Sequence, residues 1–409
     1  MQKFITSNAM VCAMRPEHPV YCLHPRAVTI ATSWFLDNFP GRVLFAVKTN
    51  PFFVDTISAA GLQHFDVASL GEIELIHAKV PGARMSFMHP VKSRVSIRRA
   101  YFEFGIRDFA LDCEAELTKI LEETQHANDL NLFVRLSVSN RHSRLDLSGK
   151  FGISGKPAAK LLLKARQAAM RLGICFHAGS QLMRPEAYAD AMEVVSKLIR
   201  SSGVIIDVLD VGGGFPSIYP DMTPPPLADF IAKISESFEQ MPVSETCELW
   251  CEPGRALVAE AASLVVKVEM RKNNTLYIND GTYGGLFDAG HPGFKFPITP
   301  VRPHAPVTDS LGKFSLYGPT CDSLDFMPGP FILPADIGEG DYLEIGNLGA
   351  YSMQLRTEFN GFDRTELVDI AEGPLLSMYG IGRKVGADDF EVIEATEMQE
   401  GNTLPGETT

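Results

Sequence analysis

The sequence predicts an α/β fold, a (β/α)8 barrel, followed by a domain built of β-strands. Short apolar runs alternate with helix-like stretches eight times between residues 43 and 252. Eight strand–helix units within roughly 220 residues match a (β/α)8 barrel, whereas a doubly wound open sheet usually has fewer units. After Arg255 the pattern changes to short alternating strands separated by Gly, Pro and Asp turns, which indicates a sandwich-like or barrel-like all-β domain.

The predicted barrel strands are rich in β-forming residues and end in polar or small ones. In chain order they are VLFAV (43–47), HFDVA (64–68), MSFMH (85–89), FALDC (109–113), LFVRLSV (132–138), ICFHA (174–178), IIDVLDV (205–211) and ELWCE (248–252). The stretches between them have apolar residues at helical spacing. Examples are GEIELIHAKV, CEAELTKILEETQ, PAAKLLLKARQAAMRLG and PEAYADAMEVVSKLIRSS.

The predicted β domain contains the strands SLVVKVEM, NTLYIN, KFSLYG, DYLEIG and TELVDI, and VYCLH (20–24) supplies a further edge. We therefore expect residues 1–25 to contribute to the β domain and residues 26–261 to form the barrel. Residues 262–395 then complete the β domain. Residues 396–409 are polar and rich in Gly and Thr, so we expect a flexible tail.

The composition argues against several classes of protein. A formal net charge of -13 disfavours nucleic-acid binding. No apolar run approaches the ~20 residues that span a bilayer, and the N-terminus does not resemble a signal peptide. The seven cysteines form no CxxC pair and no zinc-like cluster with histidine. We therefore expect free thiols, a cytoplasmic location and no metal site.

In barrels of this kind, the chemistry takes place at the C-terminal ends of the strands. The polar residues and glycines that fall there are Lys48, Asp66, His89, Arg135, His177, Gly212, Gly213, Gly214, Glu252 and Arg255. These positions are therefore the first candidates for functional residues.

Lys48 lies one residue past an apolar strand in AVKTNP, so we expect its amine to face the barrel mouth. Desolvation there would lower its pKa and make it a nucleophile for Schiff-base formation. By position alone, a strand-end lysine that reaches solvent is the more common case. The glycines of LDVGGGFP would let backbone amides approach a phosphate, although an ordinary βα turn has the same composition.

Two further strand ends have candidate residues of this kind. Glu252 in CEPGR can hold a pyridine nitrogen protonated, and Arg255 can contact a phosphate, unless the two form a buried pair that closes the barrel. In FHAGSQ, His177 can stack on a flat ring and Ser180 can bind a phosphate, although a lone histidine is more often structural.

The motif GPTCDSLD, residues 318–325, lies in the predicted β domain. Cys321 beside Asp322 places a potential proton donor next to an anionic recognition group. Taken alone, a turn with a buried thiol would explain this motif equally well.

Taken together and in order, ten motifs resemble those of the fold-type III decarboxylases that depend on pyridoxal 5'-phosphate (PLP). They are AVK, FD-ASxGE, RLSV, FHxGSQ, DxGGGFP, EPGR, NDGTYGG, GPTCDSxD, GAY and FNGF, and they cover about residues 20 to 378. The nearest branch is ornithine decarboxylase with its ornithine/lysine relatives. The resemblance implies an alanine-racemase-like fold, PLP as cofactor, and a head-to-tail homodimer with shared active sites. It also implies decarboxylation of L-ornithine to putrescine, with L-lysine to cadaverine as a second reaction.

The resemblance further implies roles for individual residues. Lys48 would carry the cofactor, Glu252 would pair with the pyridine nitrogen, and Cys321 would protonate the substrate after CO2 leaves, with His177 also in the catalytic set. The cofactor-binding set is Lys48, Asp66, Glu72, Arg135, His177, Ser180, Gly212, Gly213, Gly214, Glu252, Gly254, Arg255 and Tyr351. The substrate-binding set is Asp322, Asp288, Phe359 and Tyr283, and Cys321 and Asp322 would come from the partner subunit.

The chain departs from the family in GTYGGLFDAGHPGFKFP, which is shorter than in the eukaryotic enzymes. Asp288 is therefore only a candidate for a second carboxylate at the distal amine. One alternative is meso-diaminopimelate decarboxylase, which usually has Glu where this chain has Asp322. A second is a non-catalytic regulator, which tends to lose the cofactor lysine that is kept here, and a third is a racemase, which would need a catalytic tyrosine. Ornithine and lysine differ by one methylene, worth only ~1–3 kcal/mol of discrimination.

Overall fold

The computed structural model describes residues 1–138, 143–145, 149–290, 292–303, 305–373 and 377–379. The predicted tail, residues 396–409, and the predicted end of the β domain lie outside the described residues. Within the described ranges, none of the helices is both long and apolar enough to cross a membrane. All seven cysteines have free thiols, as the sequence predicts.

The N-terminal segment forms β1 (Gln2–Phe4), α1 (Ser7–Met14) and β2 (Val20–Leu23). Helix α1 begins where the Thr6 side chain accepts a hydrogen bond from the amide of Ala9 at 3.0 Å, which satisfies a free backbone donor at the helix start. Strand β2 pairs with a strand on each side, so it lies inside a sheet and not at the predicted edge.

The following segment alternates parallel strands with helices. The strands are β3 (Arg42–Val43), β4 (Phe45–Ala46), β5 (His64–Val67), β6 (Arg84–Phe87), β7 (Asp108–Leu111), β8 (Asn131–Leu136), β9 (Ser143–Leu145), β10 (Arg171–Phe176), β11 (Ser180–Leu182), β12 (Val208–Asp210) and β13 (Glu248–Cys251). The helices are α2 (Pro25–Asn38), α3 (Val54–Ala59), α4 (Leu70–Lys79), α5 (Arg94–Phe102), α6 (Glu114–Glu123), α7 (Gly155–Ala168), α8 (Glu186–Ser202), α9 (Leu227–Glu239) and α10 (Arg255–Val258).

These strands close into an eight-stranded parallel barrel, which confirms the predicted fold. The pairing order is β3-β13-β12-β10-β8-β7-β6-β5-β4, while β9 and β11 pair with each other outside the barrel. Strands β3 and β4 are one strand interrupted at Leu44, whose amide donates to the carbonyl of Cys251 at 2.8 Å and closes the ring. Large side chains fill the interior around the fully buried Trp250, so the barrel is a packed core and not a pore.

Most predicted strands differ from the observed ones by one or two residues, but IIDVLDV shortens to β12. Only Val208–Asp210 pair with neighbouring strands, and Ile205 is 69% exposed. The predicted helix PAAKLLLKARQAAMRLG ends at Ala168, because Arg171 already belongs to β10. An apolar pattern does not show where pairing begins, and this explains both differences.

The β domain is a mixed sheet that includes strands from both ends of the chain. Its C-terminal strands are β14 (Ala262–Lys272), β15 (Thr275–Ile278), β16 (Ile298–Val301), β17 (Leu311–Tyr317), β18 (Phe326–Pro334), β19 (Tyr342–Ile345) and β20 (Glu366–Ile370). The order β1-β20-β2-β14-β15-β17-β18 places the N-terminal strands beside β20 and β14, and β19 pairs with β14 and β16. The sequence did not predict β16 and β18, because the prolines in ITPV and FMPGPFILP argue against strands.

The β domain contacts the barrel mouth through the loop that follows β19. The Asn50 side chain donates from Nδ2 to the carbonyl of Gly349 at 2.8 Å. The amide of Tyr351 donates to the carbonyl of Thr49 at 3.1 Å. Both contacts are made by the two residues that follow Lys48, so the position of the lysine loop depends on both domains.

Candidate active site

A pocket opens at the C-terminal ends of the barrel strands. Its lining consists of Ala46, Lys48, His177, Ser180, Gly213, Gly214, Phe215, Glu252, Gly254, Arg255 and Tyr351. Most of the predicted cofactor-binding residues therefore come together, and the loop of the β domain supplies Tyr351. Asp66 joins them through its contact with Lys48.

Lys48 lies in the turn that follows β4 and forms an ion pair with Asp66. The Nζ atom lies 3.0 Å from Oδ2 of Asp66, a carboxylate that is 3% exposed at the end of β5. Burial by itself lowers the pKa of Lys48, but its interactions with Asp66, Tyr351 and Glu252 together outweigh burial, so the pKa is raised. The expectation of a lowered pKa was therefore wrong, because the sequence did not show how close Asp66 lies.

His177 follows β10 and has a neutral imidazole ring. Its Nδ1 atom accepts a hydrogen bond from the amide of Gly179 at 3.1 Å, which places the ring proton on Nε2. Burial, followed by the charges of Arg135 and Lys48, lowers the pKa of His177 to about 3. A neutral ring in a fixed orientation is suited to packing on a flat aromatic ligand.

The glycine triplet after β12 lies too close to other backbone for any side chain. Gly212 has φ +69°, and a Cβ atom there would lie 2.1 Å from the carbonyl oxygen of Phe176. Gly214 has φ +102°, and its Cβ would lie 2.4 Å from the carbonyl oxygen of Gly179. Glycine is thus required by both conformation and space, and the backbone itself forms this wall of the pocket.

Arg255 begins α10 and is 6% exposed. Its Nη1 donates to the hydroxyl of Tyr219 at 2.7 Å, and its Nη2 donates to Oδ2 of Asp288 at 3.2 Å. The Nε atom is buried and has no hydrogen-bond partner among the described residues. Arg255 therefore still has a donor for a ligand at the pocket wall, where the ring of Tyr351 lies 5.1 Å from its Cζ.

Glu252 lies next to a second buried carboxyl group, Asp210, which the sequence analysis did not single out. Asp210 is 0% exposed, and its Oδ1 accepts from the amide of Gly212 at 2.8 Å. Burial and then the charges of Asp210 and Asp66 raise the pKa of Glu252 well above its usual range. Burial also raises the pKa of Asp210 to about 6. Two adjacent carboxyl groups in this setting favour sharing one proton.

Three other predicted residues lie around this pocket. Arg135 is in β8, and its guanidinium lies 5.4 Å from the ring of Phe151. Glu72 lies at the start of α4, where its carboxylate accepts from the amide of Ala68 at 2.7 Å. The Nδ1 atom of His89 accepts a hydrogen bond from the amide of Val91 at 3.1 Å, so the imidazole ring is held by the backbone of its own loop.

Three of the four predicted substrate-binding residues, Asp322, Tyr283 and Phe359, lie with Cys321 in a separate loop cluster. Cys321 is exposed, and its amide donates to the Asn360 side chain at 3.1 Å. Asp322 accepts from the hydroxyl of Tyr283 at 2.5 Å, and the ring of Tyr283 lies 5.0 Å from that of Phe359. Of these described residues, none belongs to the lining of the Lys48 pocket of the same chain.

Asp325, also missed by the sequence analysis, holds the Cys321 loop in shape. Its carboxylate is 0% exposed and accepts hydrogen bonds from the amides of Thr282 and Thr320 at 2.7 and 3.1 Å. The hydroxyl groups of both threonines add bonds at 3.1 and 2.8 Å. Its place in GPTCDSLD was a signal, but only the fold shows that it joins the two loops.

Asp288 does not lie with Asp322. Its carboxylate is 7% exposed and is engaged by Arg255 at the pocket wall, whereas Asp322 contacts Tyr283 and the amide of Leu324. Within one chain, Asp288 therefore lies at the Arg255 wall of the pocket and not in the Asp322 cluster.

Comparisons with known proteins agree with this geometry. The family described as "Pyridoxal-dependent decarboxylase, pyridoxal binding domain" matches residues 27–259. The chain is 32% identical over 330 residues to the lysine/ornithine decarboxylase of Selenomonas ruminantium, covering 78% of this chain and 81% of that protein. It is 31% identical to antizyme inhibitor 2 of Xenopus laevis, covering 74% of this chain and 69% of that protein. The lysine/ornithine decarboxylase of Vibrio vulnificus, solved with putrescine, superposes with a TM-score of 0.75 at 27% identity, covering 90% and 99% of the two chains.

Proposed function

Because this chain belongs to the pyridoxal-dependent decarboxylases, we propose that it decarboxylates L-ornithine to putrescine and CO2, with L-lysine to cadaverine as a second reaction. The observation that carries the choice of a basic substrate is the carboxylate of Asp322 beside Cys321. A hydrogen bond from the Leu324 amide, followed by one from Tyr283, lowers the pKa of Asp322 and keeps it anionic. An anion at that position is complementary to a distal ammonium group.

The cofactor is PLP, and the pocket fits it. Gly213 and Gly214 line the pocket, where their backbone would offer amides to a phosphate, and the buried Nε of Arg255 has a donor to offer. Lys48 would hold the cofactor covalently, and Ser180 and Tyr351 would join Arg255 at the phosphate. When bound, PLP supplies a ring that accepts the electrons of the bond to the departing carboxylate.

Other residues of the chain support this chemistry. The neutral ring of His177 would pack on the cofactor ring, and Glu252 would hold a proton at the pyridine nitrogen. Asp66 keeps a proton near Nζ of Lys48. The apolar ring of Phe359 would disfavour a charged carboxylate relative to CO2, and Cys321 would return a proton to the substrate carbon.

The separation of the two clusters supports a head-to-tail homodimer. The Lys48 pocket of one chain would be completed by Cys321 and Asp322 of the partner subunit. The loops around Cys321 expose apolar side chains, with Leu324 74% and Phe359 41% exposed, as expected for a surface that a partner covers. We also propose a cytoplasmic location, since all seven cysteines are free thiols.

The test is CO2 release from ornithine, lysine, arginine and meso-diaminopimelate with added PLP. We expect turnover of ornithine above the others, with lysine second. Preference for meso-diaminopimelate would contradict the proposal. Because the chain is also similar to antizyme inhibitor 2, the assay has a third outcome. Release of no CO2 from any of the four amino acids would indicate a non-catalytic protein.

A further inference from the structure

The guanidinium of Arg255 is held in one orientation by polar contacts on two sides. The Tyr219 hydroxyl accepts from Nη1 at 2.7 Å, and Asp288 accepts from Nη2 at 3.2 Å. The three side chains are all buried, with Tyr219 1%, Arg255 6% and Asp288 7% exposed. A planar guanidinium with two fixed partners cannot turn without breaking at least one buried hydrogen bond.

Aromatic rings complete the surroundings of this guanidinium. The ring of Phe294 lies 5.0 Å from Cζ of Arg255, and Tyr219 packs edge-on against Phe294 at 5.1 Å and Phe296 at 5.5 Å. The backbone carbonyl of Asp288 accepts from the amide of Phe294 at 2.8 Å, which ties the carboxylate's own segment to the same cluster. Both partners of Arg255 are therefore themselves fixed.

We propose that Asp288 and Tyr219 are positioning residues that orient Arg255 toward the cofactor phosphate, and that Asp288 does not bind the substrate's distal amine. This inference rests on the proposed function, because it assigns the distal amine to Asp322. Turning Asp288 toward a substrate would break its buried ion pair with Arg255. Distal recognition therefore relies on the Asp322 side of the pocket.

If Asp288 and Tyr219 act through Arg255, their effect on phosphate binding can be measured apart from substrate recognition. PLP and pyridoxal share the same ring and aldehyde, but only PLP has the phosphate that Arg255 would contact. A residue that acts through Arg255 must therefore affect PLP binding and leave pyridoxal binding almost unchanged. A residue at the distal amine must instead affect the KM for the diamino acid.

The experiment measures binding of PLP and of pyridoxal to the full-length apoprotein by absorbance titration. We expect Asp288→Asn and Tyr219→Phe each to raise the Kd for PLP about tenfold, the scale of one hydrogen bond to a charged group. The Kd for pyridoxal should change less than about twofold on the same scale. Asp336→Asn is the matched control, because Asp336 pairs with Arg302 in the β domain at 2.7 Å, away from the pocket.

A second measurement is the KM for ornithine at saturating PLP. We expect Asp322→Asn to raise this KM well above the change seen with Asp288→Asn. The proposal is overturned if Asp288→Asn raises the KM as much as Asp322→Asn does, or if PLP and pyridoxal binding weaken equally. Should Asp288→Asn fail to fold, Tyr219→Phe removes a single oxygen atom. The same Kd comparison then decides whether a partner of Arg255 acts on phosphate binding. If the wild type binds PLP but decarboxylates no amino acid, the proposed function fails while the binding comparison still stands.

Discussion

Lys48 and Asp66 form an ion pair at the barrel mouth, with Nζ and Oδ2 3.0 Å apart. The two residues end neighbouring parallel strands, and β4 pairs with β5 so that Ala46 lies opposite Asp66. Because the carboxylate raises the pKa of Lys48, the lysine is protonated when no cofactor is bound. For Lys48 to bond PLP, its amine must lose a proton, and Asp66, its hydrogen-bond partner, would accept it.

The first prediction concerns cofactor attachment. Borohydride reduction of the PLP-loaded protein followed by peptide mapping should place the label on Lys48. Lys48→Ala should lose the absorbance at roughly 400–430 nm that lysine-bound PLP produces. Lys92→Ala is a useful comparison, because Lys92 is a buried lysine that pairs with Glu116 outside the pocket. A label on Lys92 or any other lysine would rule out the assignment of Lys48.

The second prediction concerns the shared site. Lys48→Ala should be inactive and Cys321→Ala strongly impaired, and mixing them should raise activity above that of either variant alone. With free reassortment of equal amounts, half of the dimers are mixed and half of their sites are wild type, so about one quarter of all sites recover. The measurement is CO2 release after subunit exchange has been demonstrated by differently tagged chains. No recovery after proven exchange would mean that each site is built within one chain.

The third prediction concerns Asp322. Asp322→Asn keeps the shape of the side chain and removes its charge, so kcat/KM for ornithine or lysine should fall roughly 10- to 150-fold. PLP binding should remain, because Asp322 lies outside the pocket that contains Lys48. Cys321→Ala should instead lower kcat and leave the KM similar, since it removes a proton donor. If Asp322→Asn lowers thermal stability but not diamino-acid turnover, Asp322 only shapes its turn.

The fourth prediction is a pH dependence that comes from Asp210. Burial raises the pKa of this carboxyl from its ordinary value of 3.8 to about 6. Between these two pH values the unfolded chain has lost the proton that the folded protein keeps, so Asp210 lowers stability as pH rises from about 4 to 6. Asp210→Asn should therefore stabilise the apoprotein at pH 8, where the wild-type carboxyl is buried and ionised.

The gain from Asp210→Asn should shrink as the pH falls from 6 toward 4, because the unfolded chain then also begins to bind a proton at this carboxyl. Urea midpoints at pH 4, 6 and 8 measure this change. Asp309→Asn, an exposed replacement of the same kind, is the control and should show no comparable trend. A gain for Asp210→Asn that is equal at all three pH values would show that its carboxyl titrates normally.

Much of the site could be predicted from the sequence, because its chemistry depends on residue types at strand ends. A lysine one residue past a buried strand and a glycine triplet after another can be recognised wherever eight strand–helix units repeat. Parallel strands in a closed barrel bring all their C-terminal ends to one face, so Lys48, His177 and Glu252 had to meet.

The tertiary structure alone decided which side chains touch. Asp288 meets Arg255 and not Asp322, Asp210 lies beside Glu252, and Tyr219 closes on the guanidinium. It also decided that Asp66 raises the pKa of Lys48 against the effect of burial. These outcomes depend on loop paths and on distances of a few ångströms between groups far apart in the chain. Electrostatic interactions in a buried site change strongly over such distances, and strand periodicity contains no information about them.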